Sequence, residues 1–205
     1  MKLPILNFVR WYPIISLILA SIVFSVCFVI YSYYNVDDHT PVSLNGVHHL
    51  GSDYRIAQFY IDKHGGDNVG ETGYSGTVCC RMLPRKWSPE LQANVRWEVH
   101  HIIRSSDPAI PEKEDVVAIY QAQVPIEQYS EPNSLWVHFF TEGRVRIVAS
   151  LEGPDSEKHP VHQNDDQAIK QAVTGTVINA LFTEEELSTL RQEAEDERRK
   201  HGEWR

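Results

Sequence analysis

The strongest constraint in this sequence is a run that carries no charge. Residues Trp11 to Tyr34 hold 24 consecutive residues without Asp, Glu, Lys or Arg. As an α-helix such a run spans roughly 36 Å, against a bilayer hydrocarbon core of about 30 Å. Leu, Ile, Val and Phe fill its centre, with Trp11 and Tyr12 at one end and Tyr31, Tyr33 and Tyr34 at the other. Rings of this amphipathic kind favour the two membrane interfaces. Pro13 falls in the first turn, where a missing N–H does little harm. A cleaved signal peptide would have an apolar core of about 7–15 residues and a small-residue cleavage site. This core is longer, and tyrosines follow it. Lipidation at Cys27 would need a small residue just before it, and Val26 stands there, deep in the run. The expectation is one uncleaved transmembrane helix over 11–34.

Flanking charge sets the expected orientation. Lys2 and Arg10 precede the run, and Asp37 and Asp38 follow it. The positive-inside rule keeps residues 1–10 in the cytoplasm and puts the bulk of the chain outside. In a Gram-negative bacterium this is a single-pass inner-membrane protein with a periplasmic domain.

Charge also narrows the partners. From residue 35 onward there are 17 basic and 28 acidic residues, a net −11. Such a surface argues against nucleic acid and suits a basic protein partner. Three cysteines cannot frame a small disulfide-rich fold.

Residues 35–45 are polar, contain Pro41 and read as a linker. Residues 46–182 carry strand signals. Asp53–Asp62, Thr77–Leu83, Leu91–Ile103, Val116–Val124, Leu135–Phe140 and Val145–Leu151 are rich in β-branched and aromatic residues, several alternating in and out. Glu142-Gly143 makes a tight turn between the last two, which predicts a hairpin. From Asp165 to Leu181 apolar residues recur at helical spacing, with Asn164 as candidate cap. Thr183 followed by Glu186 fits a capping box that opens a charged helix over 183–205. Acids lead that helix and Arg198, Arg199 and Lys200 trail, which suits its dipole. The predicted fold is mainly β, β-sandwich-like, with two C-terminal α-helices.

Candidate chemistry is sparse. Cys79-Cys80 poses a local alternative: in a regular strand the two side chains point to opposite faces and stay free, whereas a vicinal disulfide requires a kinked backbone. Both remain open, and a thiol-redox role for the pair is one alternative function. Ten histidines invite a metal, but no HExxH, paired CxxC or typical zinc spacing occurs, so neither a metal nor a cofactor is expected. No phosphate-binding glycine loop and no GxSxG elbow occurs either, so no catalytic residue is assigned.

Gly76, Cys79, Cys80, Leu83, Pro84, Trp87, Pro89 and Leu91, followed by Val95 and Trp97, form a pattern. It resembles an uncharacterised family of proteobacterial envelope proteins and lipoproteins with Cys-Cys, Leu-Pro, Trp-x-Pro and Val-x-Trp in that order. Glu90 stands where that family has glycine. Many of its members look like lipoproteins, whereas this chain carries the apolar span. Some resemble immunity proteins encoded beside lipase toxins of type VI secretion. The resemblance implies a binding protein that meets a secreted toxin in the periplasm, and not an enzyme. Arg85, Lys86 and Trp87 are the guessed contact residues. An envelope structural component is the remaining alternative.

Overall fold

A computed structural model describes residues 17–28, 38–107, 109, 111–163, 165 and 167–201. The chain divides into two compact units, residues 1–39 and 40–205. In the first unit, residues 17–28 form a helix (α1) whose side chains are all exposed. The remainder of the expected 11–34 span lies outside the described residues. Among the described residues no helix is long and apolar enough to cross a membrane.

The second unit is mainly β. Its strands are β1 (His39–His48), β2 (Tyr54–Ile61), β3 (His64–Gly65), β4 (Val78–Pro84), β5 (Gln92–Ile103), β6 (Lys113–Pro125), β7 (Leu135–Phe140), β8 (Arg144–Ala149), β9 (Val173–Thr174) and β10 (Thr176–Ile178). One five-stranded sheet, A, runs β4-β1-β7-β8-β9, and the other, B, runs β10-β6-β5-β2-β3. β1 lies parallel to β7, with Leu44 beside Leu135 and His48 beside Phe139. β7 and β8 form the predicted hairpin, antiparallel from Leu135–Ala149 to Phe140–Arg144. Its turn needs left-handed backbone at Glu142 (φ 59) and Gly143 (φ 63). The glycine is required there on a second count, because a Cβ at Gly143 would collide with the Tyr120 ring.

The core follows from alternation. On β5, Ala93, Val95, Trp97 and Val99 are buried while Asn94, Arg96, Glu98 and His100 face outward. Trp97 is fully buried and packs on Tyr120 and Phe139, its ring centroid 5.3 and 5.7 Å from theirs. Phe59 meets Phe139 edge-on at 5.3 Å. Residues of both sheets thus share one apolar cluster that includes Leu44, Val137, Phe139 and Ile147 from A with Ile56, Phe59, Val95 and Trp97 from B. A second, smaller cluster lies elsewhere: Phe140, Val148, Val161 and Ala168, with Trp136, Ile169 and Ala172 packed against it. Trp136 and Phe140 alternate with the core-facing Val137 and Phe139, so this cluster sits on the outer face of sheet A, under a cover formed by the described residues of 150–172.

Three expectations are corrected. The 35–45 linker fails from His39 on, because residues 39–45 begin β1; Val42 and Leu44 enter the core and a parallel partner supplies the pairing. The Asp165–Leu181 helix is replaced by a 3₁₀ turn at Ala168–Gln171 followed by β9 and β10; its candidate cap Asn164 lies outside the described residues. The β-branched run Val173, Thr174, Thr176, Val177 and Ile178 is divided between the two sheets, β9 joining A and β10 joining B. Gly175 makes that crossing possible. Its N–H donates to the Gly143 carbonyl at 2.8 Å, and a Cβ there would strike the Trp97 ring. The fold therefore has one C-terminal helix, α2 (Glu184–His201), not two. Its capping box forms as expected: the Glu186 N–H donates to Thr183 Oγ1 at 3.2 Å, and the Thr183 N–H donates to Glu186 Oε2 at 2.8 Å.

Candidate functional site: a histidine chain and two polar faces

The residues singled out from sequence do not converge. Cys79 and Cys80 are joined by a disulfide across a cis peptide in β4, with Cys79 exposed and Cys80 half-buried. Arg85 and Lys86 are exposed just beyond β4. Trp87 is half-buried, packs against the main core and donates its indole N–H to the Ile126 carbonyl at 2.8 Å. Its ring is thus an anchor for the segment that displays the two basic residues.

The outer face of sheet B carries several paired polar side chains. Arg96 projects from β5 beneath the start of α2. Its guanidinium donates to both carboxylate oxygens of Glu186 at 2.6 and 3.0 Å, and to the Leu181 carbonyl at 2.7 Å. It also lies 4.9 Å from the centre of the Phe182 ring, a cation–π distance. The hydrogen bonds from Arg96, and then the Thr183 N–H, hold the Glu186 carboxyl down to about 2. A cleft of about 430 Å³ opens beside them, lined by Asp62, Lys63, Asn94, Phe182, Thr189 and Leu190 among others. Further along β5, His100 sits between two acids, Nε2 2.6 Å from Glu98 and Nδ1 3.0 Å from Glu114. Burial pulls its pKa down, but the hydrogen bonds to Glu98 and Glu114 outweigh that and raise it.

The outer face of sheet A holds the feature that sequence reading missed. His138 on β7 is fully buried, and its Nδ1 lies 3.0 Å from His49 Nε2. Its Nε2 lies 3.0 Å from Nε2 of His159, itself only 2% exposed. The outer nitrogens end on backbone: His49 Nδ1 donates to the Gln163 carbonyl at 3.0 Å, and His159 Nδ1 to the Glu152 carbonyl at 2.7 Å. Aromatic contacts clamp the rings. His49 stacks on Phe140 at 4.5 Å, and Trp136 meets His159 edge-on at 5.5 Å. Burial is the first cause that lowers the pKa of all three, and that of His138 goes well below the ordinary imidazole value. Beside them His48 gives its Nε2 to the Gly70 carbonyl at 2.8 Å, and burial lowers it too.

No local signal joins these residues. His49 follows the end of β1, His138 lies mid-strand in β7 and His159 lies in the 150–172 cover. The alternation of Leu135–Phe140 puts His138 on the outer face, which usually means solvent. Only the cover turns that face into an interior. Among the described residues no group of three or more His, Cys, Asp or Glu is placed to hold a metal ion.

No curated protein and no solved structure matches this chain. One family model does, and it spans β2 to most of β8, with the Cys79-Cys80 pair, Trp87, Trp97 and His138 inside the matched stretch and His49, His159 and α2 outside it. Residues 51–147 accordingly match the family model DUF3304, described as protein of unknown function.

Proposed function

We propose that this chain is a membrane-anchored binding protein of the bacterial envelope, with residues 11–34 as its single inner-membrane span and its β domain in the periplasm. Its partner is a protein. The most concrete form is an immunity protein that neutralises a secreted lipase toxin, as the resemblance carried by Cys79-Cys80, Leu83-Pro84, Trp87 and Trp97 implies. The observation that carries the reading is charge. The chain beyond residue 34 has 17 basic and 28 acidic residues, and α2 exposes Glu184, Glu185, Glu193 and Glu195 along its length. An acidic surface held on a rigid element steers a basic partner into contact and speeds association at low salt. Arg85 and Lys86, displayed by the anchored Trp87, offer a second contact point of opposite sign.

The test is affinity capture by the full-length chain in detergent, followed by mass spectrometry and a phospholipid-hydrolysis assay on what is recovered. The expected result is a secreted basic lipase whose activity falls when the captured pair forms, and greater toxin sensitivity in cells that lack the chain. Recovery of no secreted toxin, together with unchanged sensitivity on deletion, overturns the immunity reading. Replacing both Cys79 and Cys80 by serine separates the thiol-redox alternative, because binding and protection persist if the pair is structural.

A further inference from the structure

The histidine chain poses a counting problem. Four hydrogen bonds run in series from the Gln163 carbonyl through His49, His138 and His159 to the Glu152 carbonyl. Each needs one proton. A carbonyl only accepts, so Nδ1 of His49 and Nδ1 of His159 must both be protonated. If those two rings are neutral, their Nε2 atoms carry lone pairs. Both face His138, which as a neutral ring has one proton for two acceptors. Three neutral imidazoles supply three protons for four bonds, and one N···N contact of 3.0 Å is left with two lone pairs opposed. One added proton completes the series, and the charge then belongs to the chain of rings and not to any one of them.

We propose that His49, His138 and His159 form a buried proton-binding site, which takes up a single shared proton where the 150–163 cover meets β7 and ties the closure of that cover to pH. The ends of the chain define what the site joins. His138 belongs to sheet A, whereas His159 and the carbonyls of Glu152 and Gln163 belong to the cover. With the proton in place the four bonds are complete but a charge is buried between sheet and cover; without it, one contact between two lone pairs remains. The 3.0 Å between ring nitrogens is a hydrogen-bond distance, shorter than the roughly 3.3 Å between two nitrogens on one tetrahedral zinc at 2.0–2.1 Å.

The surrounding charges tune where the proton binds. Arg146 on β8 lies opposite His138 in register and opposes uptake, although its own charge is paired with Glu127. His48 on β1 and His162 on the cover oppose uptake when charged, and Asp165 on the cover favours it at His49. Burial also opposes it, so uptake falls below the ordinary histidine range. The site is therefore empty of its extra proton in neutral medium and fills as the medium acidifies.

The experiment is a titration of the full chain in detergent micelles, with ¹⁵N in the histidine rings, from pH 9 to pH 5. Nδ1 of His49 and of His159 should stay protonated throughout. The three rings should move together at one midpoint that accounts for one proton, and the free energy of opening read from amide exchange over residues 150–163 should fall across the same midpoint, because the closed site binds the proton more weakly than an exposed one. His138→Leu should abolish the common midpoint. His159→Phe, which keeps an aromatic ring against Trp136, should do the same and serves if the first variant does not fold. Three separate one-proton midpoints overturn the proposal, as do three rings that remain neutral down to acid unfolding. Stoichiometric zinc shifting all three rings in place of the proton step overturns it as well.

Discussion

His138 and His100 are the same residue on comparable strands of the two sheets, and their surroundings drive them in opposite directions. Each faces away from the main core. On sheet B the outward face stays partly wet, and His100 finds a carboxylate at each nitrogen. On sheet A the outward face is roofed by residues 150–172, and His138 finds only other imidazoles. The cover thus converts a polar face into a second interior, whereas α2 and the charged residues of β5 leave sheet B as a surface. A strand pattern identifies which face a residue occupies; what that face becomes depends on chain that arrives much later.

The comparison breaks most sharply at the two valines that represent these faces. Val161 is fully buried in the cover, and Val116 on β6, opposite the outward-facing His100 in register, is 57% exposed. Val161→Asp places an unpaired carboxylate in an apolar cluster and should cost about 4 kcal/mol or more, measured by chemical denaturation. Val116→Asp should change stability by no more than about 1 kcal/mol. Equal effects would mean that the cover is not a true interior.

A middle-sized effect is expected on sheet B. Arg96→Ala removes the bidentate pair with Glu186, the bond to Leu181 and the contact with Phe182. Hydrogen bonds to charged groups contribute about 1.5–3 kcal/mol each in favourable sites, and the partly exposed Glu186 puts the expected loss near about 2 kcal/mol. The loss should be local, with amide exchange quickening over 184–190 while Val95 and Trp97 stay protected. Simultaneous loss of protection in β5 would show that α2 supports the sandwich instead of resting on it.

Titration gives the next test, and its sign differs between the faces. The pKa of His100 is raised in the folded state, so its stabilising contribution is full below the unfolded value near 6.5 and is lost as pH rises through the folded value. The histidines of sheet A are lowered, so their contribution is full above 6.5 and is lost as pH falls towards their folded values. The buried histidines of the second kind outweigh His100, and the protein should lose stability between pH 6.5 and pH 5. His100→Gln should be less stable than the parent by under about 1 kcal/mol at pH 5.5, with a smaller deficit at pH 8. A deficit larger at pH 8 reverses the assignment.

Much of sheet B was legible because its strands alternate. Val95, Trp97 and Val99 mark one face of β5 without help from any distant residue, and the Thr183–Glu186 capping box announces α2 from four positions. The failures share a cause. In β1, Pro41 and Asn45 dilute the alternation of Val42 and Leu44, and a parallel partner more than 80 residues away leaves no local trace. Ala168, Ile169 and Ala172 do share one face, as the helical spacing requires, but a single 3₁₀ turn is enough to place them. The sandwich then captures the β-branched residues that follow. The histidine chain was the least legible of all, since it needs β1, β7 and the cover to meet before any two of its rings touch.

The smallest expected effect sharpens what holds α2 down. Lys63 donates to both oxygens of Glu193 at 2.7 Å, which ties α2 to the β2–β3 turn. The geometry matches that of Arg96 and Glu186, yet the side chains are 58% and 51% exposed, whereas that of Arg96 is 13% exposed. Water and salt therefore compete for the Lys63 pair, and two long side chains must be ordered to make it. Lys63→Ala should cost no more than about 0.5 kcal/mol, and less in 0.5 M salt than in 20 mM. If it costs as much as Arg96→Ala, distance rather than burial governs these pairs, and the contrast between a buried and a wet anchor for α2 fails. If the small value holds, the helix is fastened at its first turn, and the exposed Lys63–Glu193 pair adds little to holding it there.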